Sequence, residues 1–304
     1  MPAPKVTVEN IEKAIKRGDG QGHGIAYTPW IQIRRWNSSP VSTQVPGCLP
    51  PFYQRQAYLA VNEWHVALVM AWLQIEVRTQ FPVWPWPHPH PLYGLDSQID
   101  SYLSWSNGMQ SVCKEAGIKH GNYPGTKIPF VWSLDLVLTI GNIAESSKCV
   151  VVSIKWVDDE RFKDELNPID RQIEKLECER RYCAELEIPY FVTGSDMFPK
   201  HLKTNLAFLV SASKTPDENS ERFRLIQEFK DKYLDYASLY PIEEWSIWMQ
   251  ESLRSNLVDA HYVTQYLLWH QIVDADLTIS INLREPPKPG GIKYRSNLLG
   301  GMVK

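Results

Sequence analysis

The sequence has 304 residues, 43% of them hydrophobic and 22% charged, which suits a globular protein with one large core or two domains. Its formal net charge of −3 argues against a protein that holds nucleic acid by its own charge alone, because such proteins are usually basic. The 5 cysteines are scattered and form no CxxC pair, which disfavours a zinc site and fits a reducing compartment.

The predicted elements of the first two thirds of the chain include both helices and strands. In chain order, hydrophobic periodicity predicts a helix over residues 8–17, a strand over 30–36, a helix over 57–73, a strand over 75–86, a helix over 95–116, strands over 131–140 and 147–156, a helix over 168–187 and a strand over 188–193. The glycine-rich residues 18–30 lack the GK[ST] ending of a phosphate-binding loop, so we interpret them as a loop with left-handed turns. In the proline-rich WPWPHPHP segment, we expect an extended arm with His88 and His90 exposed to solvent.

Residues 57–73 are the best candidate for a membrane span, but they do not meet the requirements for one. The stretch is too short, and Asn62, Glu63 and His65 interrupt its apolar run. The N-terminal segment lacks the apolar core of a signal peptide. We therefore expect a buried helix over 57–73, no membrane association and a cytoplasmic location.

The pattern changes after about Thr193. Several segments with helical spacing are followed by DLTISINL, which alternates like a strand pair, so we expect a winged-helix-like domain over residues 194–284. The predicted helix that begins VDAHYVTQYLLWHQI carries no lysine or arginine, which favours protein binding over DNA binding. Residues 285–304 contain 4 cationic residues against 1 acidic residue, together with proline and glycine, and predict a basic flexible tail.

Two neighbouring predicted strands each carry one charged residue inside an apolar run. Alternate residues of a strand share a face, so Asp135 lies on one face of the 131–140 strand and Lys155 shares a face with Ser153 in the next strand. If the strands pair, Asp135 becomes the carboxylate partner that a buried Lys155 requires.

Glu63 adds a second carboxylate, because it lies on the apolar stripe of the 57–73 helix. A desolvated carboxylate needs a cation or a metal ion nearby, or its pKa rises. Two carboxylates suit Mg²⁺, which lowers the pKa of a bound water, and a nearby lysine positions that water or stabilises the phosphorane. The residues alone leave a second interpretation open, in which Glu63 is solvated, Asp135 forms a turn and Lys155 extends its amine into water.

At these residues the chain resembles the TnsA family, the endonuclease subunits of heteromeric cut-and-paste transposases. The resemblance lies in GDGQGHGIAYTPW, in the Glu63 helix followed by VRTQFP, in AGIKH followed by WSLDLVL, and in IEKLECERRYCAELEIPYF. These blocks cover roughly residues 10–195, and the C-terminal part matches only in general pattern. The resemblance implies an α/β fold of the restriction-endonuclease-like type over residues 1–193, with a mixed sheet flanked by helices.

The resemblance also implies roles for individual residues. Glu63 and Asp135 correspond to the carboxylates that bind Mg²⁺, with Mn²⁺ as an alternative ion, and Lys155 corresponds to the catalytic lysine. The family's Q-x-K strand motif reads Ser153-Ile154-Lys155 here, so a short hydroxyl replaces the amide and the number of metal ions stays open. The Ile154 carbonyl remains a candidate ligand, because it does not depend on the side chain.

Glu179 corresponds to an acidic residue near the family's site, and we interpret it as a supporting residue. The alternative is a glutamate on the helix surface that pairs with Arg180 or Arg181.

The activity implied by the resemblance is hydrolysis at the 5′ ends of a transposon in bacteria. A TnsB-like partner would cut and join the 3′ ends, a TnsC-like AAA+ regulator would contact the C-terminal region, and the protein would be associated with the nucleoid when active. Two other functions remain open: a subunit with weakened chemistry that bridges TnsB and TnsC, which Ser153 permits, and a stand-alone restriction or repair nuclease.

Overall fold

The computed structural model describes residues 6–33, 43–141, 147–155 and 166–303. The chain divides into two compact units, Met1–Met197 and Phe198–Lys304. The helices of the first unit are α1 (Val8–Arg17), α2 (Val61–Trp72), α3 (Ser97–Asp100), α4 (Met109–Glu115) and α5 (Leu166–Glu185). Its strands are β1 (Val45–Cys48), β2 (Arg55–Tyr58), β3 (Glu76–Val83), β4 (His88–Pro89), β5 (Trp105–Ser106), β6 (Trp132–Ile140), β7 (Lys148–Ile154) and β8 (Tyr190–Thr193).

A four-stranded mixed sheet forms the centre of the first unit, with the strand order β3-β6-β7-β8. The β3–β6 and β6–β7 pairs are antiparallel, and β8 runs parallel to β7. Helix α5 lies in the connection between these two parallel strands, as a parallel pair requires. The sheet therefore positions the end of β7 beside β6 on one side and β8 on the other.

All nine residues of β6 are buried, which is why its sequence reads as an almost continuous apolar run. Helix α2 packs against β3 and β6, and α4 packs against α5. Side chains of β6, β7, α4 and α5 share one hydrophobic core. A polar side chain within these strands is consequently removed from water and needs a partner inside the protein.

Glu76 at the start of β3 ties the glycine-rich loop to the sheet. Its two carboxylate oxygens accept hydrogen bonds from the Gly24 amide at 2.5 Å and the His23 ring at 3.1 Å. Burial by itself would raise the pKa of Glu76, but the His23 hydrogen bond and the nearby Arg78 charge hold it at about 2. The prediction of left-handed turns is confirmed, and a side chain on Gly20 would collide with Pro82 at 2.3 Å.

The N-terminal unit departs from the sequence prediction at the predicted 30–36 strand and at the predicted 95–116 helix, among other places. Residues 30–33 are not in a strand, and the remainder of the predicted 30–36 strand lies outside the described residues. The predicted 95–116 helix is divided into α3, β5 and α4. Helix α3 ends at Asp100, and Gly108, whose φ of 88° lies outside the helical region, directly precedes α4.

The expectation that His88 and His90 are exposed is wrong, because both side chains are buried. His88 Nε2 hydrogen-bonds with the Tyr182 hydroxyl of α5 at 3.1 Å, and its Nδ1 lies 2.9 Å from the Trp86 carbonyl oxygen. The proline-rich segment therefore packs along α5. The extended backbone of this segment is compatible with burial, because imidazole groups hydrogen-bond with backbone groups such as the Trp86 carbonyl.

The second unit contains helices α6 (Lys200–Leu209), α7 (Glu221–Ala237), α8 (Ile242–Glu251), α9 (Leu257–Trp269) and α10 (Gly291–Val303). Helix α9 packs against α6, α7 and α8 and contributes the largest buried face. No strand occurs within residues 198–303, all of which have described backbone. The winged-helix prediction is therefore not confirmed.

The predicted DLTISINL strand pair forms turns instead, over the fully described residues 276–283. Two of its carbonyl groups, those of Leu277 and Ile279, accept hydrogen bonds from the Asn205 side chain at 2.9 and 2.7 Å. A third, that of Leu283, accepts the Glu243 amide at the start of α8. Partners on two helices thus replace the strand partner that the alternation predicts.

The prediction of a flexible tail over 285–304 is wrong for Gly291–Val303, which form α10. The Asp274 carboxylate accepts hydrogen bonds from the amides of Gly290 and Ile292 at 3.0 and 2.9 Å. A carboxylate at this place satisfies the unpaired amides of a helix N-terminus and stabilises the helix. Across the described part of the chain, no helix combines the length and the apolarity that crossing a bilayer would demand.

Candidate active site

Asp135 and Lys155 meet at the end of β7, as the strand alternation predicts. Lys155 Nζ lies 2.7 Å from Asp135 Oδ2, and the Ile154 amide donates to the same oxygen at 2.8 Å. Burial alone would raise the pKa of Asp135, but the charges of Lys155 and Lys175 hold it below its usual value. Asp135 is therefore a carboxylate that the protein keeps ionised within the sheet.

Glu63, in the first turn of α2, is the second buried carboxylate of the site. Its Oε2 accepts hydrogen bonds from the Leu59 amide at 2.8 Å and from Gln80 Nε2 at 3.3 Å. Burial raises the pKa of Glu63 to about 8, and the negative charge of Asp135 contributes to this rise. The two carboxylates therefore repel each other, and Glu63 stands protonated at neutral pH unless a cation joins them.

Gln80 connects the Glu63 carboxylate to the sheet. Thr79 pairs with Leu136 and Phe81 pairs with Leu134, so Gln80 lies across from Asp135. Gln80 donates to Glu63 and accepts from the Ser133 hydroxyl at 2.9 Å.

The backbone of Gln80 has a φ of 50°, which is unfavourable for any residue with a side chain. Its carbonyl oxygen accepts the Trp30 amide at 3.2 Å. Strain of this kind persists only where surrounding contacts enforce it, and it often accompanies a functional site.

Ser153 is fully buried and directs its hydroxyl towards α5. Ser153 Oγ donates to Glu179 Oε2 at 2.6 Å, and the Tyr190 hydroxyl donates to the same oxygen at 3.0 Å. Lys175 Nζ lies 3.3 Å from the other carboxylate oxygen of Glu179. This set of four side chains connects β7 and β8 to the helix that covers them.

The alternative interpretation of Glu179 as a surface residue is wrong, because its side chain is only 1% exposed. Arg180 and Arg181 instead donate to Glu177, which lies on the exposed side of α5. Glu179 therefore belongs to the interior network beside the Asp135–Lys155 pair. Its role in chemistry stays a prediction.

An open cleft of about 420 Å³ leads from the surface to Asp135. Its polar lining consists of Gln80, Asn122, Ser133, Asp135, Arg171 and Lys175. The ring of Trp132, against which the His120 ring stacks, also contributes to the wall. The cleft gives an extended ligand access to Asp135.

Gln80 and Lys175 also belong to this site, although neither was among the residues predicted for it. Lys175 was detectable, because it precedes Glu179 by one helical turn in a predicted helix and so shares its face. Gln80 was not detectable, because its position across from Asp135 depends on the β3–β6 register, which strand patterns alone do not give.

The residues present fit a hard divalent cation held by few protein ligands. Among the described residues, no three His, Cys, Asp or Glu side chains lie close enough together to hold a metal ion. Glu63 and Asp135 nevertheless supply two carboxylates, and burial, together with the charge of Asp135, raises the pKa of Glu63. Mg²⁺ is commonly bound by one or two carboxylates with water completing its shell. The Ile154 carbonyl as a further ligand stays a prediction.

The fold and site together define a class of protein. A mixed α/β sheet with flanking helices, two acidic side chains and a lysine beside them is consistent with a nuclease-like fold.

Comparison with known proteins gives a more particular likeness. No family model matches the chain. Over 223 residues, the chain is 26% identical to the Transposon Tn7 transposition protein TnsA of Escherichia coli. The matching region covers 69% of this chain and 65% of that protein, slightly less than two thirds of its length. The chain is therefore TnsA-like, and the resemblance given by its sequence blocks is confirmed.

Proposed function

We propose that this chain is the Mg²⁺-dependent endonuclease subunit of a transposase and cuts the 5′ ends of a transposon. The observation that carries the proposal is the Asp135–Lys155 pair near the buried Glu63, with Asp135 itself lining an open cleft. The likeness to a Tn7 transposition protein supports transposition as the setting. Hydrolysis of DNA phosphodiesters is the chemistry that two carboxylates and a lysine serve together.

Glu63 and Asp135 would hold the divalent ion, which when bound supplies a water of lowered pKa and positive charge against the scissile phosphate. Lys155 contributes a fixed ammonium group, because Asp135 and the sheet hold it in place at 2.7 Å. Its side chain is only 16% exposed, so its charge acts in a poorly hydrated environment. A preorganised cation there stabilises the negative charge that develops on the phosphate in the transition state.

Gln80 and Ser153 would act as positioning residues. Gln80 orients Glu63 through the 3.3 Å hydrogen bond and is itself held by Ser133. Ser153 engages Glu179 and thereby ties α5 to β7, the strand that Lys155 directly follows. Ser153 would thus support the site through Glu179 and not as a ligand of the metal ion.

The partners we propose are transposon-end DNA, a TnsB-like transposase that cuts and joins the 3′ ends, and a TnsC-like AAA+ regulator. The net charge of −3 supports the need for such a partner. A partner that reads the end sequence would supply much of the attraction to DNA, which this chain's own charge does not. Helix α9 contains no lysine or arginine, which supports a protein-binding role for the second unit.

The test is a strand-specific cleavage assay with the full chain, its TnsB-like partner, transposon-end DNA and Mg²⁺. Asp135→Ala should abolish 5′ cleavage while the partner's 3′ cleavage continues. Wild-type protein that supports 3′ joining but never cuts a 5′ end would favour the bridging subunit with weakened chemistry. Cleavage of plain DNA by the chain alone would favour a stand-alone nuclease.

A further inference from the structure

Helix α5 presents two cationic side chains to the cleft that contains Asp135. Arg171 and Lys175 are one helical turn apart and therefore share a face of the helix. The Arg171 side chain is 49% exposed and the Lys175 side chain is 35% exposed. Both cationic groups are thus within reach of a ligand that enters the cleft.

The charge of the cleft differs in sign from the charge of the whole chain. Among the described residues that line it, Arg171 and Lys175 are the cations and Asp135 is the acid. The lining is therefore positive by one unit in a protein whose formal net charge is −3. Two cations concentrated near an inner carboxylate are suited to an anion that lies along the wall.

Lys175 is held differently from Lys155. Lys155 Nζ lies 2.7 Å from Asp135 Oδ2, whereas Lys175 Nζ lies 3.3 Å from Glu179 and its side chain is twice as exposed. Glu179 is also stabilised by two hydroxyl donors, so its charge does not depend on Lys175 alone. The Lys175 ammonium group also helps to hold the pKa of Asp135 low, so its charge acts on the cleft as well as on Glu179.

Arg171 is anchored with donors to spare. Among the described residues, its Nη1 donates to the Lys119 carbonyl oxygen at 3.2 Å and to Glu174 at 2.6 Å. The guanidinium also lies 5.9 Å from the centre of the Trp132 ring. A guanidinium carries five N–H donors, so Nε and Nη2 remain to bind an anion while Nη1 keeps the group in place.

We propose that Arg171 and Lys175 form the DNA-binding wall of the cleft and contact backbone phosphates next to the scissile bond. This inference rests on the proposed function, since it takes the cleft to be the place where DNA lies. The spacing along one helix face fits a row of phosphates, and neither residue needs to read a base. The contacts would position the duplex so that one phosphate reaches Asp135 and Lys155.

The test is the salt dependence of DNA binding by the full chain, measured by fluorescence anisotropy with a labelled duplex of arbitrary sequence in EDTA. Each phosphate contact that is lost should reduce the slope of log K against log salt by about 0.9. Lys175→Gln and Arg171→Gln should each show this reduction. Between about 50 and 200 mM salt, each variant should then lose affinity by a factor that is about 3.5 times smaller than the factor for the wild type.

The matched control is Arg180→Gln, which removes the same charge from the same helix. Arg180 lies about 180° around α5 from Arg171 at about 100° per residue, and it pairs with Glu177 on the exposed side. Its slope should equal that of the wild type. Lys175→Arg and Arg171→Lys should also keep the wild-type slope, which separates a lost charge from a damaged fold.

Equal slopes for Lys175→Gln, Arg171→Gln and Arg180→Gln would overturn the inference, as would a wild-type chain that binds no duplex at the lowest salt. The result is independent of cleavage. Reduced slopes without any 5′ cutting would leave the DNA-binding wall standing and reject the endonuclease. Unchanged slopes together with normal 5′ cutting would reject the DNA-binding wall and leave the endonuclease standing.

Discussion

Replacing Glu63 by glutamine should stabilise the metal-free protein at neutral pH and remove its activity. Burial and the charge of Asp135 raise the pKa of Glu63 to about 8, whereas the ordinary pKa of a glutamate side chain is 4.5. The folded state therefore binds a proton that the unfolded state releases between these two values. This contribution to stability is complete below pH 4.5 and declines as pH rises towards 8.

The size of the effect follows from the two pKa values. At 1.36 kcal/mol per pKa unit, the wild type loses about 3 kcal/mol between pH 4.5 and 7 through this group. A glutamine at position 63 carries no proton to release, and its carbonyl oxygen is still able to accept from the Leu59 amide. The variant should accordingly gain about 3 kcal/mol over the wild type as pH rises across this window.

The assay is urea unfolding of both proteins in EDTA at several pH values between 5 and 8. Glu243→Gln, which changes an exposed glutamate in the second unit, serves as the control for simple charge removal. A difference between Glu63→Gln and the wild type that stays constant with pH would mean that Glu63 is already ionised in the fold. The raised pKa of Glu63, to which burial contributes most and the charge of Asp135 next, would then be refuted.

Three further substitutions test the surroundings of the site. Lys155→Met should abolish 5′ cleavage and destabilise the protein by about 3 kcal/mol in urea unfolding, because it leaves Asp135 buried without its cation. Glu76→Gln should cost about 3 kcal/mol above pH 4.5, and the difference should vanish as pH falls towards 2, since the lowered pKa of Glu76 stabilises the fold only while the group is ionised. Gln80→Gly should relieve the positive φ, worth about 1 kcal/mol, yet reduce 5′ cleavage at unchanged DNA binding; cleavage at the wild-type rate would remove Gln80 from the positioning residues.

The meeting of Asp135 and Lys155 was predictable because it needs only two facts. Each strand shows a period of two, and the two strands pair, with Leu136 opposite Val152. The burial of Glu63 followed in the same way from the apolar stripe of α2. These inferences use local periodicity, which a sequence displays directly.

The second unit was less predictable because its decisive contacts are distant in sequence. The Asn205 side chain satisfies the carbonyls of Leu277 and Ile279, and Asp274 caps α10. An alternating segment then needs no strand partner, and a proline- and glycine-rich end becomes a helix. Neither outcome is visible in the composition or the period of the segments concerned.

This chain has Ser153 where the Q-x-K motif has a glutamine. The shorter side chain does not leave this end of β7 without a polar group. The serine side chain ends at Glu179, 2.6 Å away, within the protein. Glu179 lies one turn after Lys175 on α5, and Lys175 lines the cleft. On this side, the polar group that faces the cleft is therefore Lys175 of α5 and not a side chain of β7. The hydrogen bond between Ser153 and Glu179 therefore holds α5, and with it the proposed DNA-binding wall, against β7.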